Sequence, residues 1–284
     1  MAAKDGDGWA RCGRGHRHWG VYGASGLLAV HHDEQGMPYV LMQKRAWWSH
    51  HGGTWGLPGG ARDSHEDAVA SALREAREEA GIPPDVLRVR GVYVDDHDGW
   101  SFETVLAEAV ERIAAVPANS ESDELLWLPV PEVAGHELHP GFAETWDDIR
   151  QVVTPVTVVL DVANIVGARA EHGWWRDREG AAGRLLRDVA GADGFVHPLL
   201  AGWRPRIVAV VEGAARNAAG EGAVEVVAAE HSGDDAIVEL VRRLPLWEDV
   251  RVVTADRGLK ERVSELGAET VGPKWLLGQL GSAR

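Results

Sequence analysis

Apolar residues recur along the chain at two periods. Between residues 67 and 81, Val69, Ala72, Leu73, Ala76 and Ala80 return three and four positions apart, which predicts an amphipathic helix with one buried stripe. Asp63, with Glu66 three residues on, forms a capping-box pattern ahead of it. Gly81 supplies a left-handed stop, and Pro83-Pro84 prevents continuation. Around this helix, short apolar runs predict strands over 19–30, 39–45, 88–95 and 100–109, and a closing helix over 140–151. Beyond 151–155 the pattern becomes strand then helix, repeated: strands over 156–160, 207–211, 224–228 and 250–254, helices over 178–189, 234–244, 259–266 and 274–280. Such alternation predicts a parallel sheet with ligands at the carboxyl ends of its strands. The expected organisation is a flexible leader over 1–18, one α/β domain over 19–150, and a second, doubly wound α/β domain over 155–284.

The polar face of the first helix carries chemistry. At about 100° per residue, Glu75, Glu78 and Glu79 fall within roughly 100° of one another, opposite the apolar stripe. Carboxylates at i, i+3 and i+4 repel unless a cation sits between them. Mg²⁺ or Mn²⁺, hard and oxygen-seeking, is the cation they would select. Glu66 falls on the flank of the apolar stripe and reads as a helix-start or supporting residue. Gly59 and Gly60 allow a tight turn and a close approach to a ligand. By themselves, three acids with Arg74 and Arg77 among them also describe a solvated helix held by ordinary ion pairs.

The spacing decides between these readings. Gly60, five residues, Glu66, seven residues, then Arg74-Glu75-Ala76-Arg77-Glu78-Glu79-Ala80-Gly81-Ile82 resembles the whole box of the Nudix hydrolases. The resemblance implies an α/β/α sandwich and hydrolysis of the diphosphate linkage in a nucleoside diphosphate derivative or nucleoside triphosphate. It implies a metal on Glu75, Glu78, Glu79 and the Gly60 carbonyl, with Arg74 orienting Glu75. A proton from water would go to Glu78 or to a glutamate from the acidic stretch before Trp127. Glu121 is the best match there, with Glu103 and Glu124 as alternatives. Trp47, Trp48 and Trp55, in the aromatic loop before the Gly pair, are candidates for stacking on a base.

In the second half, acids end the predicted strands: Asp161, Glu212 and Asp256, with Asp234 and Asp235 opening a helix. Leu160-Asp161-Val162-Ala163-Asn164 resembles the Asp-Gly-x-Asn start of the NYN branch of PIN-like nucleases, with Val162 in place of the glycine. Gly233-Asp234-Asp235-Ala236 and Val252-Val253-Thr254-Ala255-Asp256-Arg257 resemble its later acidic elements. This implies a PIN-like, metal-dependent ribonuclease whose ion is shared by Asp161, Asp235 and Asp256 and completed by Glu212. Asn164 would hold the first loop. Single-stranded RNA would meet Trp174, Trp175, Arg176 and Arg178. An alternative makes the first half a nucleotide sensor that regulates the nuclease.

Composition narrows the classes. The chain has 284 residues, 45 % of them hydrophobic and 26 % charged, with a net charge of −15. The first 150 residues carry 13 basic against 25 acidic residues and the remainder 16 against 19, so neither half suits general polyanion binding. No apolar run approaches a membrane span and no signal-peptide core opens the chain, which points to a cytoplasmic protein. The single cysteine, Cys12, excludes an internal disulfide. Cys12, His16 and His18 bring three metal donors close, but a fourth is absent from the motif, so a polar leader is the favoured reading.

Overall fold

The computed structural model describes residues 4–114, 116–169, 174–218, 220 and 222–282. The chain forms two compact units: Met1–Val153 with His197–Trp203, and Thr154–Val196 with Arg204–Arg284.

The first unit is built on a mixed seven-stranded sheet. Its strands are β3 (Ala24–His32), β4 (Pro38–Arg45), β5 (Trp55–Gly56), β6 (Gly59–Ala61), β7 (Leu87–Asp96), β8 (Ser101–Ala109) and β9 (Ser122–Pro129). The path runs β5-β4-β3-β8-β7, with β6 paired to β3 and β9 to β4. β3 and β8 are parallel, and the other pairs antiparallel. One edge of β3 is shared: Ala24–Gly26 pairs with β6 and Val30–His32 with β4. Helix α1 (Ala68–Ala80) covers this region, its Ala68, Ala72, Ala76 and Ala80 packing with Leu27, Leu41, Val105 and Trp127 in one buried cluster. α2 (Pro140–Ile149) closes the unit with Phe142, Trp146 and Ile149 buried. The antiparallel bridge between Val92 and Ala201 accounts for the unit taking in residues beyond 153, which the sequence pattern does not suggest.

Two expectations fail here for identifiable reasons. Residues 4–18 are not a loose leader. Trp9–Arg11 (β1) and Arg17–Trp19 (β2) form an antiparallel hairpin, and Cys12 in its turn is buried with Ala24 and Trp100. Paired backbone and a buried apolar anchor order a segment that looks polar in one dimension. Nor does Asp63 cap α1. Its side chain accepts from the Asp5 and Gly6 amides at 2.9 and 2.8 Å, while Asp67 caps the helix by accepting from Ala70 N–H. Half of the capping box survives, because the Asp63 amide donates to Glu66 at 3.2 Å. The C-terminal stop behaves as expected: Gly81 has φ 64°, and Gly81 and Ile82 donate to the Arg77 and Ala76 carbonyls.

The second unit is a five-stranded parallel sheet: β10 (Val156–Asp161), β11 (Arg206–Val211), β12 (Val224–Ala228), β13 (Asp249–Val253) and β14 (Glu269–Val271), in the order β12-β11-β10-β13-β14. Helices α3 (Val162–Arg169), α4 (Arg178–Ala190), α5 (Gly233–Arg243), α6 (Arg257–Ser264) and α7 (Pro273–Ser282) connect them. The order reverses between β10 and β13, where ligands bind in open α/β sheets. α3 and β14 have no counterpart in the sequence reading, each being short and bounded by small residues.

Candidate active site

Helix α1 delivers its three acids to different depths. Glu79 is 2 % exposed, at the level of the sheet. Its Oε2 accepts the Gly59 amide at 2.8 Å. Buried Gln43 sits between Ser122 and Glu79 and, with its amide nitrogen towards the carboxylate, donates to Oε2 at 3.2 Å. Burial drives the Glu79 pKa up to about 7, with Glu75 and Glu121 adding repulsion. Glu75 is also raised, chiefly by burial, against the pull of Arg74. Glu78 is the outermost, its Oε2 2.8 Å from Lys4 Nζ.

Arg74 organises the near end of this face. It donates through Nε and Nη2 to the two oxygens of Glu66 at 2.7 and 2.9 Å, through Nη1 to Glu75 at 2.5 Å, and to the Ala61 carbonyl at 3.1 Å. The expected pairing of Arg74 with Glu75 is present. Of the two roles read for Glu66, helix start and support, it fills both: besides accepting the Asp63 amide it is the bidentate anchor of that arginine, and Arg74 holds its carboxyl below the usual range.

The Gly pair works differently from the tight turn read in the sequence. Both residues are in β6. A Cβ on Gly59 would lie 2.4 Å from the Ser25 carbonyl oxygen, and one on Gly60 would lie 2.8 Å from Glu75 Oε1. The missing side chains let β6 approach β3 on one side and admit the Glu75 carboxylate on the other. Gly60 and Glu75 are therefore adjacent.

Glu121, exposed, adds to the repulsion at Glu79 and so faces the same region. Glu103 is committed to Arg62 at 2.7 Å. Glu124 is exposed and pairs through its backbone with Lys44. The stacking candidates separate. Trp55 is 7 % exposed and is core, its amide donating to Glu137 and its carbonyl accepting from His139. Trp47 is 80 % exposed. Neither lines the cavity of about 350 Å³ that opens beside Leu57 and Gly59, whose aromatic walls are Trp100, Phe102 and His139. Those three were missed because nothing in the local sequence distinguishes them from core residues. The His139 pKa falls to about 4, mainly through burial and also through Arg45, His51 and His50.

The acids and backbone oxygens available at Glu75, Glu78, Glu79 and Gly60 suit a hard cation. Glu79 is buried, and a cation beside it would offset the cost of holding its charge there. Among the described residues, three groups bring His, Cys, Asp or Glu donors within 4.8 Å of one another, and the α1 trio is not one of them. Glu78 is paired with Lys4 and Glu75 with Arg74.

In the second unit the acids meet at the carboxyl ends of β10 and β13. Asp161, 8 % exposed, accepts from Thr254 Oγ1 at 2.7 Å and from the Asn164 amide at 3.1 Å. Asn164 Oδ1 in turn accepts the Ala255 amide at 2.8 Å, tying the first loop to the one after β13. Burial raises the Asp161 pKa, with contributions from Asp234 and Glu212. Asp234 is raised by burial and by Asp256, Glu212 and Asp235. Glu212 accepts the Gly233 amide at 2.6 Å. Asp235 departs from expectation: it pairs with Arg262 at 2.6 Å on an exposed face, and Asp234 takes its place among the acids. On α5, adjacent residues point about 100° apart, so only one of the pair can face the sheet edge. Asp256 also caps α6 through the Leu259 amide.

The NUDIX domain family matches residues 24–148. Putative 8-oxo-dGTP diphosphatase 3 of Mycobacterium tuberculosis is 49 % identical over 162 residues, covering 55 % of this chain and 73 % of that protein. A nucleoside triphosphate pyrophosphatase/Nudix hydrolase fusion protein of Bifidobacterium longum is 42 % identical over 145 residues, half of this chain and 30 % of that protein. Among solved structures, the Nudix hydrolase RenU of M. smegmatis is 47 % identical, with a TM-score of 0.49, over 52 % of this chain and 94 % of that one. The residues matched by the family are those that build β3 through α2, with the whole acidic face of α1 among them. By that match, and by a relative aligned over nearly three quarters of its length, the chain belongs to the Nudix hydrolases and acts on phosphoric anhydrides.

Proposed function

We propose that the first unit is a Mg²⁺- or Mn²⁺-dependent pyrophosphohydrolase of a nucleoside triphosphate or nucleoside diphosphate derivative, 8-oxo-dGTP being the first substrate to test. The observation that carries this is the position of Gly59. Its amide holds the buried Glu79, and the same residue lines the aromatic cavity. A base placed in this cavity, against Trp100 and Phe102, would thus direct its phosphates toward the α1 acids. The name of the M. tuberculosis relative supports an oxidised purine.

Glu75, Glu78, Glu79 and the Gly60 carbonyl would hold the cation, which supplies charge neutralisation of the diphosphate and acidification of a water. Arg74, fixed by Glu66, keeps Glu75 turned toward Gly60. Gln43 and the Gly59 amide keep Glu79 from rotating. Glu78 and Glu121 are the acids exposed enough to receive a proton from water, whereas Glu79 is enclosed. Turnover of 8-oxo-dGTP, dGTP and a dinucleoside polyphosphate by the full chain in Mg²⁺ tests the reading. Absence of hydrolysis across a nucleotide panel would reject it.

For the second unit we infer a metal-dependent ribonuclease of the PIN-like, NYN type, supported by the acids Asp161, Glu212, Asp234 and Asp256 gathered at the reversal point of a parallel sheet. Trp174 and Arg178 line a cavity of about 160 Å³ next to Glu212 and would contact single-stranded RNA. Cleavage of labelled RNA by the full chain in Mn²⁺, and its loss in Asp161→Asn, is the test. RNA cleavage unchanged in Asp161→Asn would reject it. Activity in Glu79→Gln that still depends on added nucleotide would favour the sensor alternative.

A further inference from the structure

A second set of metal-ligating side chains lies away from α1. Cys12, His16, His18 and His97 present one ligand atom each, all within 4.8 Å of one another. The three from the hairpin are joined by His97, 79 to 85 positions further along the chain, in the turn between β7 and β8. The motif looks one ligand short in one dimension and is complete in three.

Two observations show that the donors are aimed at a ligand. His97 Nε2 lies 2.8 Å from Asp95 Oδ2, and its Nδ1 is buried with no hydrogen-bond partner. A neutral imidazole that donates Nε2–H to a carboxylate carries its lone pair on Nδ1, the arrangement that orients metal-bound histidines. His18 Nε2 is likewise buried and without a partner.

Backbone hydrogen bonds and ring stacking hold the donors in place. Cys12 is 5 % exposed, and its amide donates to the His16 carbonyl at 3.1 Å while its carbonyl accepts from Gly15 at 2.9 Å, closing the turn. His18 stacks on Trp100 with centroids 4.0 Å apart and planes 12° apart. Gly13 donates to the Asp98 carbonyl and Arg14 to that of Asp96, both at 2.6 Å, clamping the two turns together.

We propose that Cys12, His16, His18 and His97 form a closed, structural Zn²⁺ site that staples the N-terminal hairpin to the β7–β8 turn. One thiolate and three imidazoles satisfy a tetrahedral ion with no position left for water, the mark of a structural rather than a catalytic zinc. Donors around such an ion stand about 3.3–3.8 Å apart, from its Zn–N and Zn–S distances, so closure asks for side-chain movements of about 1 Å. His16, His18 and His97 also line the cavity beside Gly59, so the ion would fix one wall of the nucleotide pocket proposed above. The other histidine group, His50, His51 and His139, lacks a thiolate and is largely exposed.

The test uses the untagged full chain, incubated with micromolar Zn²⁺ and desalted. Elemental analysis is expected to find about one zinc per chain in the wild type, in Glu78→Gln and in His139→Ala, and less than a tenth of that in Cys12→Ala and His97→Ala. Zinc absent from the wild type, or retained in Cys12→Ala, would overturn the proposal. If Cys12→Ala does not fold, the wild type loaded with Co²⁺ decides. Cys12 is the single cysteine in the chain, so a near-ultraviolet thiolate-to-cobalt band with intense visible tetrahedral bands can arise only there. A cobalt spectrum without the thiolate band would overturn the site.

Discussion

The Gly59 amide and the Glu79 carboxylate, twenty residues apart in sequence, meet at 2.8 Å and join the Gly-containing strand to the acidic helix. This contact fixes the most buried charge of the box against the strand whose neighbour, Gly60, would ligate the same cation. It also separates two properties that usually change together, stability and activity.

Glu79→Gln keeps an oxygen for the Gly59 amide and removes a charge that is costly to bury. In the presence of a chelator at pH 8 it is expected to melt at or above the wild-type temperature. In Mg²⁺ its kcat should fall roughly 100- to 1,000-fold. Wild-type turnover in the variant would remove Glu79 from the metal site.

The same group sets a pH dependence. Its folded pKa, about 7, stands above the ordinary glutamate value of 4.5, so the folded state holds the proton more tightly than the unfolded one. Its contribution to stability is therefore fully present below about pH 4.5 and is lost as pH rises through 7. With chelator present, denaturant midpoints of wild type should fall across pH 5–8 relative to Glu79→Gln. Added Mg²⁺ should restore more stability at pH 8 than at pH 5, because only the ionised carboxylate binds it. Parallel pH profiles for the two proteins would contradict this.

Glu66 and Arg74 are expected to act as one unit. Their two charge-assisted bonds are largely shielded from water, and a double-mutant cycle of Glu66→Gln with Arg74→Ala should give a coupling of roughly 2 kcal/mol. Glu66→Gln should also lower kcat through the loosened Arg74–Glu75 pair. Additive effects in the cycle would show that the pair does not transmit position to Glu75.

The two glycines should fail differently when given a methyl group. In Gly59→Ala the Cβ meets the Ser25 backbone, which cannot yield without moving β3, and about 1–3 kcal/mol of stability should be lost. In Gly60→Ala the Cβ meets the side-chain carboxylate of Glu75 rather than backbone. That variant should keep most of its melting temperature and lose activity. Equal losses of both quantities in both variants would refute the distinction.

In the second unit, Asp234→Asn should weaken Mn²⁺ binding measured by calorimetry at least tenfold, and Asp235→Asn should not. The basis is that Asp234 is raised first by burial and then by Asp256, Glu212 and Asp235, while Asp235 is paired directly with Arg262. The reverse order would restore Asp235 to the site.

Local chemistry carried much of this into the sequence. The alanine stripe, the Gly81 stop and the box spacing each depend on residues within two or three helical turns, and each is legible in one dimension. Contacts that cross the fold were not. Asp63 reads as a cap, because the residues it actually serves, Asp5 and Gly6, lie in a segment with no periodic signal. Trp55 and Trp47 read alike, because burial in a loop depends on its neighbours. Asp234 and Asp235 differ only by a rotation about α5, which its starting residue decides. His97 joins Cys12 only after β7 and β8 have brought its turn across the sheet.

The alanine face of α1 has a consequence for what the chain can accept. Ala68, Ala72, Ala76 and Ala80 end at Cβ, so the helix backbone rides low on the sheet. The depth of Glu79 follows from that height. Leucine at Ala72 or Ala76 would be equally at home in the oil of the interior, yet it would lift the helix and draw the carboxylate away from Gly59. Substitution at these positions is thus limited by the standing height of a charge, and a library selected for hydrolysis would exclude residues that one selected for folding alone would keep.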